Sequence, residues 1–487
     1  MIHPLGLTSF EFIFSIPIVV MFYYLLPAYI RQYYLLLINL LFYGSFGYQY
    51  IVIVIIEAAV SWVTAVLLSR KDDSLENGKP NKKRNLVLIL SIALLISILL
   101  SFKIGVKLSD SIVAPLGISF YTLQALSYMI DVYNCKIVAE KNPVKLLAFL
   151  SFFPTITSGP IYRYTDFIKC YNGNLIYMKI DYYRIVNGII YVLYGYFLKL
   201  VIAERAAIPV NHVFTDFDPE YYGGAALAII AVTYSVQIYA DFAGYSAIVI
   251  GIAQIIGYDI PENFSAPYLS RSIKEFWSRW HISLSCWLKD YIYIPLGGNR
   301  KGRIRKYLNI MITFIVSGLW HGGGWHFMVW GILHGAYQII GDIAKPLKKR
   351  LTSQMGIVEN SAFHRIIECT LTFILITIAW LFFRTGIKDA MRMIMQIFLS
   401  PHMDYLISGG LWELGLTPFG WTMLWVGIII MGLVDSLMYR GMRIDKVIYN
   451  QGMLARCVSI VIICLVILIL GIYGDQHDAS YFVYRDF

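Results

Sequence analysis

Apolar residues recur in long runs from one end of the chain to the other, and no polar interval between them is long enough for a soluble domain. A helix needs about 20 apolar residues to cross a bilayer. Runs of that character occupy 8–26, 33–47, 49–69, 85–102, 111–131, 180–203, 223–240, 242–257, 305–320, 325–342, 365–383, 420–438 and 456–473. Several are short or interrupted by Gly, Pro or charge, so the pattern predicts about eleven full crossings, with tilted or re-entrant pieces between them. The first run lacks a basic n-region and a cleavage site and reads as a retained span. Two stretches break the pattern: 152–160, with Pro154, Gly159 and Pro160, and 322–324, three glycines directly after Trp320-His321. Irregular backbone at membrane depth must be buried in protein or line a wet cavity, so these breaks mark candidate sites. The longest hydrophilic intervals are 70–84 and 385–419, the second an expected loop or cap. With no repeat and no soluble appendage, residues 1–487 read as a single domain.

Composition agrees with a membrane protein: 58% of residues are hydrophobic and 14% charged, where a soluble domain carries about 25% charged residues. The net charge of +10 does not point to nucleic acid, because the basic residues sit in short loops. Arg70, Lys71, Lys79, Lys82, Lys83 and Arg84 form one group, and Arg300, Lys301, Arg303, Arg305 and Lys306 another. Such loops mark the cytoplasmic side, which places the N-terminus outside. The six cysteines have no C-x-x-C spacing and suggest neither a disulfide framework nor a metal site.

Candidate chemistry concentrates between 263 and 335, which hold four of the nine histidines (His281, His321, His326, His334) and six of the eleven tryptophans. His321 ends an apolar helical run. An ionisable residue inside a span is a functional candidate by default, and burial keeps an imidazole neutral and able to accept a proton. A histidine anchored in an interfacial tryptophan belt fits the local residues equally well. Metal binding by His321, His326 and His334 is disfavoured, because spacings of five and thirteen lack the i, i+4 of a helical ligand pair. His281 sits among Lys274, Glu275, Arg279, Lys289 and Asp290, in a segment polar enough to lie at the interface. Asp241 stands inside an apolar run, where an isolated carboxylate costs about 2.5–3.5 kcal/mol, so it needs a partner; a structural one, a Lys, Arg or His of the polar segment, and a catalytic one fit equally well. Arg163 follows Gly159-Pro160 and suits either a phosphate or the cap of a re-entrant turn.

The strings Arg279-Trp280-His281-Ile282-Ser283, Asp290-Tyr291-Ile292-Tyr293-Ile294-Pro295-Leu296-Gly297-Gly298 and Gly318-Leu319-Trp320-His321-Gly322 resemble the membrane-bound O-acyltransferase family, its alginate O-acetyltransferase branch above all. Further likeness lies in Asp241-Phe242-Ala243-Gly244-Tyr245-Ser246, in Asn263-Phe264 and in the aromatic ending Tyr481-Phe482-Val483-Tyr484. Lys289 and Gly323-Gly324 depart from the family pattern; the first keeps charge but loses bidentate geometry. The resemblance implies an all-α polytopic fold, a ring of about eleven transmembrane helices with re-entrant and interfacial helices around a central catalytic tunnel. It implies His321 as the catalytic histidine and His281 as the second, supported by Asp241, Arg163, Arg279, Trp320, Asn309, Arg300 and Lys301, without a metal. It further implies a bacterial plasma membrane, cytosolic acetyl-coenzyme A as donor, and an extracytoplasmic polysaccharide as acceptor. That acceptor is reached directly or through an exported SGNH-hydrolase-like partner. Membrane lipid is a partner and nucleic acid is not. Two alternatives remain: D-alanyl transfer to teichoic acid from a carrier protein, and a transporter or flippase. The transporter leaves the clustered Trp-His motifs unexplained.

Overall fold

The computed structural model describes residues 5–69, 82–109, 113–177, 180–215, 217–218 and 221–473. The basic interval at 70–81 and the aromatic C-terminus therefore lie outside the described residues. Among those described, regular structure is helical throughout and no strand occurs. Among the described residues seven helices are long and apolar enough to cross a membrane. Five of them, Tyr48–Ser69, Lys82–Val106, Ala362–Arg384, Pro418–Tyr439 and Met453–Leu470, fall on the runs expected from the sequence. The protein is a multi-pass membrane protein. Gly302–His321 and Trp325–Ile343, 20 and 19 residues long, have spanning length but a more polar composition.

Two expectations change. The runs at 223–240 and 242–257 form one 32-residue helix, Gly224–Ile255. Asp241 does not interrupt it, because its charge is neutralised by a neighbour and the backbone ladder has no reason to open. The 385–419 interval is folded, with helices Ile387–Leu399 and Met403–Ile407 and a 3-10 turn at Gly410–Leu414.

The chain divides into two compact units. Its first unit comprises the described residues up to Val192 together with Tyr245–Pro261. It contains the break at 152–160, which is buried throughout. Asn39 replaces the missing helical partners there: its Nδ2 donates to the Ala148 carbonyl (3.3 Å) and its Oδ1 accepts from the Phe153 N–H (3.1 Å). Thr157 and Tyr245 share a hydroxyl–hydroxyl bond. The irregular backbone is thus enclosed by protein, as lipid requires.

The second unit comprises the described residues of Leu193–Gly244 and those from Glu262 to Tyr473. Its charged core is Lys199, on a π-helical segment (Phe197–Ala203), whose Nζ donates to Asp241 at 2.5 Å and Glu204 at 3.0 Å. The partner of Asp241 is therefore Lys199, 42 positions away, and not a residue of the 263–306 segment. Lys199 interrupts the apolar run Phe197-Leu198-Lys199-Leu200-Val201, a signal as strong as that of Asp241 and absent from the sequence-based expectations.

Packing in this unit is close between Gly302–His321 and Trp325–Ile343. A Cβ on Gly318 would come within 2.3 Å of the Phe327 carbonyl oxygen, and one on Gly331 within 2.3 Å of the Phe314 oxygen. Only glycine lets the two backbones pass.

Two outcomes follow for stability. Gly331→Leu forces the helices apart and should destabilise by about 1–3 kcal/mol, the usual range for overpacking; thermal unfolding in detergent measures it. Lys199→Met leaves two buried carboxylates without their cation and should cost about 3–5 kcal/mol. The triple change Lys199→Met, Asp241→Asn, Glu204→Gln should recover most of that loss, and equal instability of both would show that packing, not charge, is at issue.

Candidate active site

The residues singled out between 279 and 321 come together in the second unit, and the local sequence explains how. Ser272 caps the Ile273–Arg279 helix by accepting from the Glu275 N–H, while the Glu275 carboxylate reaches back to the Arg271 N–H. The S-x-x-E spacing is that of a capping box, with the carboxylate reaching one residue beyond the cap. Arg279 closes the same helix: its guanidinium binds Glu275 and the Ser265 carbonyl and lies over the Tyr439 ring. Arg279 thus ties elements together.

His281 stands at the turn between this helix and Ile282–Leu288, with φ +42. A left-handed non-glycine residue is strained, and strain of this kind clusters at functional sites. Asn263 supports the turn. Its carbonyl oxygen accepts from the Ile282 N–H, and its side-chain Oδ1 accepts from the Ser283 N–H and Oγ–H. The same Oδ1 lies 3.1 Å from His281 Nδ1. An oxygen already accepting two hydrogens can only accept from the ring as well, so Nδ1 carries the proton and Nε2 is the basic nitrogen. The imidazole is buried, with Phe242 edge-on at 4.7 Å. Burial pushes its pKa down from the ordinary 6.5 to about 3. Asn263 is quoted in the sequence resemblance but missing from the expected site residues; its role depends on a contact 18 positions distant.

His321 is the last residue of its helix and only 2% exposed. Gly322 after it is extended, and a Cβ there would meet the Phe327 ring at 2.2 Å. Three rings surround the imidazole: Trp320 at 4.8 Å, Trp330 at 5.0 Å and Phe383 at 5.2 Å. His321 therefore faces protein side chains, two of them tryptophans. The Trp320 ring also lies 6.3 Å from His281, so one indole stands beside both imidazoles.

The other candidates are distributed as follows. Asp241 is engaged with Lys199, one residue before the Phe242 that touches His281. Asn309, fully buried, donates through Nδ2 to the carbonyls of Leu296 and Gly298 and so pins the glycine-rich loop to the start of the His321 helix. Arg300 and Lys301 are exposed on that loop. Arg163 belongs to the other unit. His326 Nδ1 lies 3.0 Å from the Phe382 carbonyl and His334 Nδ1 accepts from Trp277 Nε1, so two of the three histidines of the metal reading are separately engaged. Among the described residues no group of three His, Cys, Asp or Glu assembles.

The profile of MBOAT, the membrane-bound O-acyltransferase family, matches residues 138–384, a stretch that includes both histidines. The chain is 35% identical over 303 residues to a Pseudomonas putida protein named probable alginate O-acetylase AlgI, covering 62% of this chain and 59% of that one. It therefore spans less than two thirds of that relative. A Helicobacter pylori peptidoglycan O-acetyltransferase is 30% identical over 433 residues, 79% of this chain and 78% of the relative. A Bacillus subtilis teichoic acid D-alanyltransferase is 31% identical over 235 residues, 46% of this chain and 58% of the relative. With the profile across half the sequence and the Trp-His elements inside it, the chain belongs to the membrane-bound O-acyltransferase family.

Proposed function

We propose that this chain moves an acetyl group from cytosolic acetyl-coenzyme A to a hydroxyl of an extracytoplasmic polysaccharide, in a bacterial plasma membrane, with His321 as general base. The observation that carries the reading is the buried His321 imidazole at a helix end, ringed by aromatic side chains and sharing Trp320 with a second buried imidazole. His321 takes the proton of the acceptor hydroxyl as its oxygen attacks the thioester carbonyl, and returns it to the departing thiolate. His281, held by Asn263, presents Nε2 as a hydrogen-bond acceptor that orients a hydroxyl. The exposed Arg300 and Lys301 suit the phosphates of the donor. Arg163 and Trp320 are supporting residues in this scheme, and Asp241 acts by holding the helix behind Phe242. An exported SGNH-hydrolase-like protein receives the acetyl group where the polysaccharide does not take it directly.

The relatives named for O-acetylation of alginate and of peptidoglycan match longer stretches than the D-alanyltransferase does, which favours acetyl over D-alanyl. The D-alanyl reading keeps the same base and differs in its donor.

Removing the base should cost about 10²–10⁴ in rate. His321→Ala should insert and accumulate normally while label from acetyl-coenzyme A no longer reaches surface polymer; a correctly inserted variant that acetylates at the wild-type rate would sink the assignment. Incorporation of labelled D-alanine instead of acetyl would select the alternative donor.

A pH effect follows from His281. Its folded pKa of about 3 lies below the ordinary 6.5, so between those values the unfolded chain binds a proton that the folded one does not. Stability therefore falls as the pH drops through this window. The midpoint of thermal unfolding should decline with acidification from pH 6.5 towards 3, and His281→Gln should flatten the decline. An unchanged slope in that variant would contradict the burial argument.

A further inference from the structure

The cage around His321 contains hydrogen-bond donors for which the described residues supply no acceptor. Trp330 is fully buried, its ring stands at 87° to the His321 imidazole, and its Nε1–H meets no acceptor among them. One turn along the same helix His334 is also fully buried. Its Nδ1 accepts from Trp277, which leaves the proton on Nε2, and Nε2 likewise has no partner among the described residues. The two rings are 4.9 Å apart. Ser317, one turn before His321 on the preceding helix, adds a buried hydroxyl in the same condition. Buried polar groups are nearly always matched, and an unmatched one costs about 1–3 kcal/mol. Three of them on the two helices that form the cage are explained together if an oxygen acceptor belongs there during the reaction.

We propose that Trp330 is a further catalytic residue, its indole N–H donating to the carbonyl oxygen of the acyl group while His321 works on the acceptor hydroxyl. The proposal rests on the acyl-transfer reading above. As the hydroxyl oxygen forms its bond to the carbonyl carbon, the π pair moves onto the carbonyl oxygen and the hydroxyl proton passes to His321. The pair then returns, the C–S bond breaks, and the thiolate leaves with the proton from His321. Negative charge therefore develops on the carbonyl oxygen, where a fixed donor stabilises it most. Trp330 is fixed: Trp380 stacks on it at 5.9 Å and Phe383 lies at 5.2 Å. Trp330, rather than His334, is placed for this role because its ring is the one in contact with His321. His334 and its Trp277 partner serve as positioning residues behind it.

The test compares purified full-length protein with Trp330→Phe, which removes the N–H and keeps an aromatic ring. Replacement by 3-benzothienylalanine, an isostere with sulfur in place of N–H, gives the same comparison if phenylalanine disturbs folding. Loss of one such donor should lower kcat for acetyl transfer from acetyl-coenzyme A by about 10²-fold, with KM for the donor unchanged. The second readout needs no turnover. A ketone analogue of acetyl-coenzyme A, with CH₂ in place of sulfur and a ¹³C carbonyl, should show a lower carbonyl stretching frequency on the wild type than on either variant. An unchanged kcat overturns the proposal and leaves the acyl-transfer reading intact. A fall in kcat with identical carbonyl frequencies also overturns it, since that is the signature of lost packing. A wild type that neither transfers from acetyl-coenzyme A nor binds the analogue overturns the acetyl reading itself, and this proposal with it.

Discussion

The contact between Gly302–His321 and Trp325–Ile343 is the constraint on which the candidate site depends. Two helices joined by three residues can lie against each other only if their backbones nearly touch, and Gly318 and Gly331 are where they do. Because that seam runs along the His321 side of its helix, the imidazole is turned towards Trp330 and Phe383 and away from lipid. Gly322 belongs to the same constraint: an extended residue with no side chain leaves space for the Phe327 ring. The Trp-His-Gly string is thus one packing unit, in which the glycine and the tryptophan fix what the histidine can face.

The Lys199 cluster and the buried histidines of the second unit differ in kind, and the cost of burial separates them. Asp241 and Glu204 are charged groups that would be prohibitive alone; Lys199 meets both, and the cluster is electrostatically closed. A closed ion pair has no spare affinity for a substrate, so Asp241 acts through the geometry of its helix. The histidines lie among aromatic rings, and burying an uncharged imidazole costs far less than burying an ion.

The spanning helices were largely legible in the sequence, because lipid tolerates little besides 20-odd apolar residues in a row. His321 and His281 were legible because each sits in a short string with its own neighbours. What could not be read was whatever depends on a partner distant in sequence. Asp241 seemed to break a helix because Lys199 was not recognised as its counter-ion. Asn263 appeared as part of a string, and only the fold shows its Oδ1 gathering three hydrogens from 281 and 283. Asn309, expected near substrate, spends its amide on the Leu296 and Gly298 carbonyls. Trp330 gave no signal at all, since one more tryptophan in a tryptophan-rich segment carries no information until its N–H is seen to lack an acceptor.

The same fold divides the work of the two histidines. Both stand beside the Trp320 ring, so proximity to one another does not distinguish them. Burial holds the His281 pKa well below the ordinary 6.5, which weakens it as a proton acceptor. It can still accept a hydrogen bond at Nε2, because Asn263 fixes the other nitrogen as the donor. That combination suits a residue that aims a hydroxyl and never becomes its base. In the proposed scheme the base is then His321, the imidazole at the helix end.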